Sequence, residues 1–97
     1  MKDDAIEVLY SPLSIKGFIF HISQYIKKKG FKISMRRMRR LSNIAVHSPY
    51  PAKHLLLFVR NDCGIDVSDR VLKEDLKILE ESGILIRANT NDKFLLK

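Results

Sequence analysis

Between Lys27 and Arg40 this chain carries eight basic residues and no acid: Lys27, Lys28, Lys29, Lys32, Arg36, Arg37, Arg39 and Arg40. Everywhere else it holds ten basic and eleven acidic residues, so this one segment accounts for the whole net charge of +7. Charge runs are often only solvated faces. Four arginines within five positions argue for more, because the planar guanidinium fork suits bidentate phosphate contact and lysine alone would serve solubility. The chemistry expected of this segment is capture of a polyanion.

Other chemistry finds little support. His21, His47 and His54 are scattered, and none stands beside a Ser, Cys or Asp in a catalytic motif. Cys63 has no zinc-like spacing to a histidine. The four glycines are isolated, so there is no glycine-rich phosphate loop. The expectation is a non-enzyme with no metal, no cofactor and no small-molecule ligand. One cysteine allows no disulfide within the chain and fits a reducing compartment. The longest apolar run, Leu55 to Val59, reads as a buried helix segment, far short of the ~20 residues of a membrane span. Met1-Lys2-Asp3-Asp4 lacks a signal pattern, so a cytoplasmic location is expected. A basic amphipathic helix can also lie on a membrane. The apolar positions of 35–46 are Met, Leu, Ile and Ala, which fit a core-facing stripe better, and no membrane partner is expected.

At 97 residues the chain is one domain. Residues 1–10 read as an arm, with Ala5 to Tyr10 either a strand or a loose turn. Ser11-Pro12 predicts a helix start, with serine as cap and proline at the first helical position. That helix runs to about Lys29, with Gly30 as its stop. Ile15, Phe18, Ile19, Ile22, Tyr25 and Ile26 form its core stripe. Leu13 and Phe20 lie opposite and are free for a second subunit. Ser34 caps a helix from Met35 to about Val46. Ser48-Pro49-Tyr50-Pro51 breaks the chain. A third helix is expected over Ala52 to Asn61.

Ser68 then caps a fourth helix on which Leu72, Leu76 and Leu79 share a face. Gly83 is its stop. Ile84 to Ala88 is a strand candidate, Asn89-Thr90-Asn91-Asp92 a turn and Lys93 to Leu96 a returning strand. Asp75-Leu76-Lys77-Ile78-Leu79-Glu80-Glu81-Ser82-Gly83-Ile84-Leu85 resembles the end of the recognition helix in winged helix-turn-helix proteins. The resemblance covers roughly residues 34–97. It implies a mainly α winged helix-turn-helix fold, with an extra N-terminal helix at 11–30 and a C-terminal two-stranded wing. Asp69, Glu74 and Asp75 depart from what a groove-entering helix needs, because carboxylates repel phosphates.

The family resemblance and the basic run together predict a small dimeric protein that binds double-stranded DNA. Transcriptional regulation is the first role, in the style of compact regulators from archaea, their viruses and plasmids. Site binding in plasmid partition is the second, and a winged-helix module that docks on protein is the third. The residues assigned to DNA are Lys32, Arg36, Arg39, Arg40, Lys53, Ser68, Arg70, Lys73, Lys77, Arg87 and Lys93. Leu13 and Phe20 are assigned to the homodimer.

Overall fold

A computed structural model describes residues 6–90 of the chain. Three of its helices start on serine caps. Ser14 accepts from the Gly17 amide at 3.2 Å, Ser34 from Arg37 at 3.1 Å and Ser68 from Val71 at 3.2 Å. Each supplies an acceptor to an amide with no partner inside its helix. The helices are α1 (Ile15–Lys29), α2 (Met35–Val46), α3 (Leu55–Cys63) and α4 (Asp69–Glu81). Strands β1 (Ile6–Tyr10), β2 (Tyr50–Pro51) and β3 (Ile86–Thr90) form one antiparallel sheet in the order β2-β1-β3. The described residues are thus mainly helical, with one small three-stranded sheet.

The N-terminal arm is the middle of that sheet. Val8 and Leu9 pair with Pro51 and Tyr50 on one side, and Ile6 to Tyr10 pair with Thr90 to Ile86 on the other. Leu9 is fully buried in the core, and its neighbours Val8 and Tyr10, on the other face of the strand, are half-buried. Phe18, Ile22 and Tyr25 of α1, Leu41 and Ile44 of α2, and Leu72 and Leu79 of α4 complete the interior with Tyr50, Val59 and Ile84.

Several sequence expectations need correction. The first helix is capped by Ser14 and starts at Ile15, each three residues later than the expected Ser11 and Pro12. The Ser11 amide donates to Ser48 Oγ at 2.9 Å, which ties this segment across to the second break in the chain. Leu13 packs against the core, and Ile15 and Ile19 stand outside the stripe at 66% and 55% exposed. The third helix starts at Leu55 because Tyr50-Pro51 pairs with β1 and the Ala52 amide donates to the Glu7 carbonyl at 2.8 Å. It runs on to Cys63. The Leu55 to Val59 run is only partly interior: Val59 is buried, Leu55 and Leu56 are half-buried, and Leu57 and Phe58 are exposed.

The C-terminal region differs most. Gly83 adopts φ 81°, a conformation cheap only for glycine. The turn it makes lets the amides of Ile84 and Leu85 both reach the Leu79 carbonyl, at 2.9 and 3.0 Å. Ile84 and Leu85 are therefore buried connectors, and the strand begins at Ile86. Asn89 and Thr90 belong to that strand and not to a turn. Its partner is β1, at the opposite end of the sequence. The expected returning strand Lys93 to Leu96, and Asn91-Asp92 of the expected turn, lie outside the described residues.

Because β1 joins both other strands, its inward side chain holds the sheet to the helices. Leu9→Ala is expected to cost about 2–5 kcal/mol, read from urea unfolding followed by circular dichroism. A loss below about 1 kcal/mol would mean the strand contributes little to the folded state.

Candidate nucleic-acid interface

The four clustered arginines sit on α2, which turns 100° per residue. The buried arc of this helix holds Leu41, Ile44 and Ala45. Arg37 is four residues before Leu41 and falls within that arc, and Arg40 lies at its edge. Arg36 and Arg39 lie on the other side, about 60° apart, and both are exposed. The cluster is therefore split into an inner and an outer pair.

The inner pair meets a carboxylate. Asp75 lies on the apolar face of α4, between Leu72 and Leu79, and its side chain is 0% exposed. Arg37 Nε is 2.9 Å from Asp75 Oδ1, and Arg40 Nη2 donates to the same oxygen at 3.2 Å. Arg40 Nε donates to Oδ2. Both oxygens of the carboxylate are thus taken by charge-assisted bonds from the neighbouring helix. Arg37 also reaches Glu74 Oε1 with Nη2 at 3.1 Å. Arg40 is 13% exposed and Arg37 28%. The assignment of Arg40 to phosphate contact is accordingly revised: its guanidinium is committed to Asp75. The expectation that Asp75 adds acidity to the surface of α4 is also corrected.

The other acids of α4 are engaged in the same way. Asp69 pairs with Arg60 of α3, which also donates to the Val67 carbonyl. Glu80 lies 3.6 Å from Arg87. Glu81 accepts from the Tyr25 hydroxyl at 2.7 Å and lies 3.9 Å from Lys77. Burial and the neighbouring Glu81 carboxylate push the Tyr25 phenol up to about 12, so the hydroxyl keeps the proton it donates. All five acids of the helix therefore have a partner.

Arg70 and Lys73 have no acid partner among the described residues, and both are exposed. Helical spacing places Arg70, Lys73 and Lys77 within a 60° stripe opposite Leu72 and Leu79. Lys73 and Lys77 border a groove floored by Leu55, Leu56 and Leu76. The Arg37–Glu74 contact sets the first turn of α2 beside the second turn of α4. Lys27, Lys28, Lys32, Arg36 and Arg39 of the basic run are exposed and unpaired among the described residues, and Lys29 lies 5.9 Å over the Tyr25 ring.

The remaining candidates scatter. Lys53 is exposed ahead of α3. Ser68 spends its hydroxyl on the α4 cap. Arg87 is half exposed between Glu80 and Glu7. Lys93 lies outside the described residues. Phe20 is 59% exposed on α1. Cys63 is half-buried, 3.1 Å from the Tyr50 hydroxyl, and burial pushes its thiol up, away from nucleophilic reactivity. Among the described residues no group of His, Cys, Asp or Glu is arranged to hold a metal. None of their helices is long and apolar enough to cross a membrane.

Sequence reasoning missed Asp75, Arg37 and Glu74 as a unit. The signal was present: Arg37 shares the stripe of Leu41 and Ile44, and Asp75 the stripe of Leu72 and Leu79. Opposite charges on two apolar stripes ask for each other. Comparison with family models, with curated proteins and with solved structures finds no match for this chain.

Proposed function

We propose that this protein binds double-stranded DNA as a small winged-helix dimer and serves as a transcriptional regulator. The observation that carries the reading is the partition of charge on α4. Every acid is tied to a neighbour, and the outward stripe keeps Arg70 and Lys73 unpaired. A helix so arranged can approach phosphates in spite of its acidic composition. Arg70 and Lys73 lie in its first turns, where a recognition helix reaches base edges. The exposed basic residues of 27–39 then supply sequence-independent attraction.

The helix order supports the same reading. Helices α3 and α4 are joined by a short turn, Gly64 to Ser68, and β3 follows after the connector Ser82 to Leu85. This is the order of a helix-turn-helix pair and the first strand of a wing. Site binding in plasmid partition uses the same surface. Docking on protein is the rival reading, and the exposed Leu57 and Phe58 on the outer side of α3 favour it.

Binding to an unselected duplex, measured by anisotropy at 50 and 200 mM salt, separates the two. Three to five phosphate contacts predict a loss of roughly 40- to 500-fold in affinity over that range. Arg70→Ala and Lys73→Ala are expected to cost about 1–3 kcal/mol each on a preferred site, with smaller effects on unselected duplex. Binding independent of salt would hand the lead to protein docking.

The dimer is proposed through α1. Phe20, Ile15 and Ile19 are exposed there, and the helix holds no acid. An antiparallel crossing near Ile19 would send the two Lys27–Lys29 clusters to opposite ends of helices about 22 Å long. Two recognition helices could then meet half-sites about one DNA turn apart. Light scattering at micromolar concentration is expected to give a dimer, and Ile19→Asp with Phe20→Asp a folded monomer. A monomeric unsubstituted protein would refute this arrangement.

A further inference from the structure

Four arginines in five positions look like one anion-binding unit, and the geometry divides them. Arg37 and Arg40 both terminate on Asp75, a fully buried carboxylate. Arg36 and Arg39 have no such partner and face outward. We propose that Asp75 is a positioning residue of the DNA-facing surface. It takes Arg37 and Arg40 out of the basic run, fixes the rotation of α2 against α4, and leaves Arg36 and Arg39 as the phosphate contacts of that helix. The inference rests on the DNA-binding reading above.

The physical reason is directionality. Leu41 and Ile44 on one side and Leu72 and Leu79 on the other make a contact that tolerates sliding and rolling. A carboxylate held by guanidinium groups from two successive turns does not. Arg40 addresses both oxygens, Arg37 addresses one, and the second arm of Arg37 reaches the exposed Glu74, the residue just before Asp75. Buried ion pairs are weak sources of stability, and their best-attested use is to select one register among several. Here the register selected sets the unpaired arginines of α2 relative to Arg70 and Lys73 on α4. Polyanion attraction would survive its loss, and sequence discrimination would not.

The test uses the full chain, an unselected 24-base-pair duplex across a salt series, and selection from a pool of randomised duplexes. Arg36→Gln with Arg39→Gln is expected to reduce the log–log salt slope by roughly 1.8, the value for two phosphates. The apolar triple variant Arg37→Met, Asp75→Leu, Arg40→Leu keeps a packed helix contact, since such replacements of buried ion pairs are commonly tolerated. It is expected to retain the slope and lose most of the enrichment seen with the unsubstituted protein. If circular dichroism shows that the triple variant does not fold, Asp75→Glu replaces it. That variant keeps the charge and displaces the carboxylate by one methylene, with the same expectation of an unchanged slope and weakened enrichment. A triple variant whose slope falls as far as that of the outer-pair variant would overturn the proposal, because Arg37 and Arg40 would then be phosphate contacts. Unchanged enrichment in the triple variant or in Asp75→Glu would overturn it equally. Failure of the unsubstituted protein to bind duplex in a salt-dependent way would instead overturn the DNA-binding reading itself.

Discussion

The arrangement of this molecule depends on one buried carboxylate. Asp75 sits where an apolar residue would be expected on the inner face of α4 and is closed off from water. An uncompensated charge there would cost several kcal/mol, so the fold is tenable only with its counter-charges in place. Two arginines of α2 provide them. The commitment of Arg37 and Arg40 to the contact between the helices follows from that requirement, and the burial of Leu41 and Ile44 beside it is apolar packing. The pair of helices is specified by polar geometry at its centre and by apolar contact around it.

The same logic governs the charges outside the clamp. A chain with a net charge of +7 and eleven acids could scatter its ion pairs over the whole surface. Here the acids of α4 are drawn toward α1, α2, α3 and β3, and the cations left over face outward. Most of these individual pairs are exposed and contribute little stability. Their consequence is the electrostatic character of the surface: an acidic helix presents a cationic stripe. Arg60 illustrates the economy of the design, since one guanidinium holds both the Val67 carbonyl in the turn and Asp69 at the start of α4.

Much of the helical framework was legible from local chemistry. Ser34, Ser68 and Gly30 act as caps and stop as their residue types imply, because capping involves neighbours three or four positions away. The non-local features were not legible in this way. The pairing of Ile6–Tyr10 with both Tyr50–Pro51 and Ile86–Thr90 joins segments far apart in sequence, and alternation in a five-residue strand cannot name its partner. The start of α3 moved to Leu55 for the same reason. Within the site, Arg70 and Lys73 were readable as outward residues from helical spacing alone. The division of the arginine cluster was half readable: spacing separates Arg37 from Arg36, and Asp75 on a distant helix decides that inward means paired.

Duplex DNA is proposed to contact the exposed Arg70 and Lys73 of α4 and the exposed Arg36 and Arg39 of α2. Titration of the isotope-labelled full chain with an unselected 16-base-pair duplex, followed through backbone amide shifts, tests this directly. The account predicts the largest changes over residues 27–39 and 68–77, with the amides of Ile15 to Phe20 little affected. Changes confined to the outer face of α3 around Leu57 and Phe58, or no changes at low salt, would contradict it.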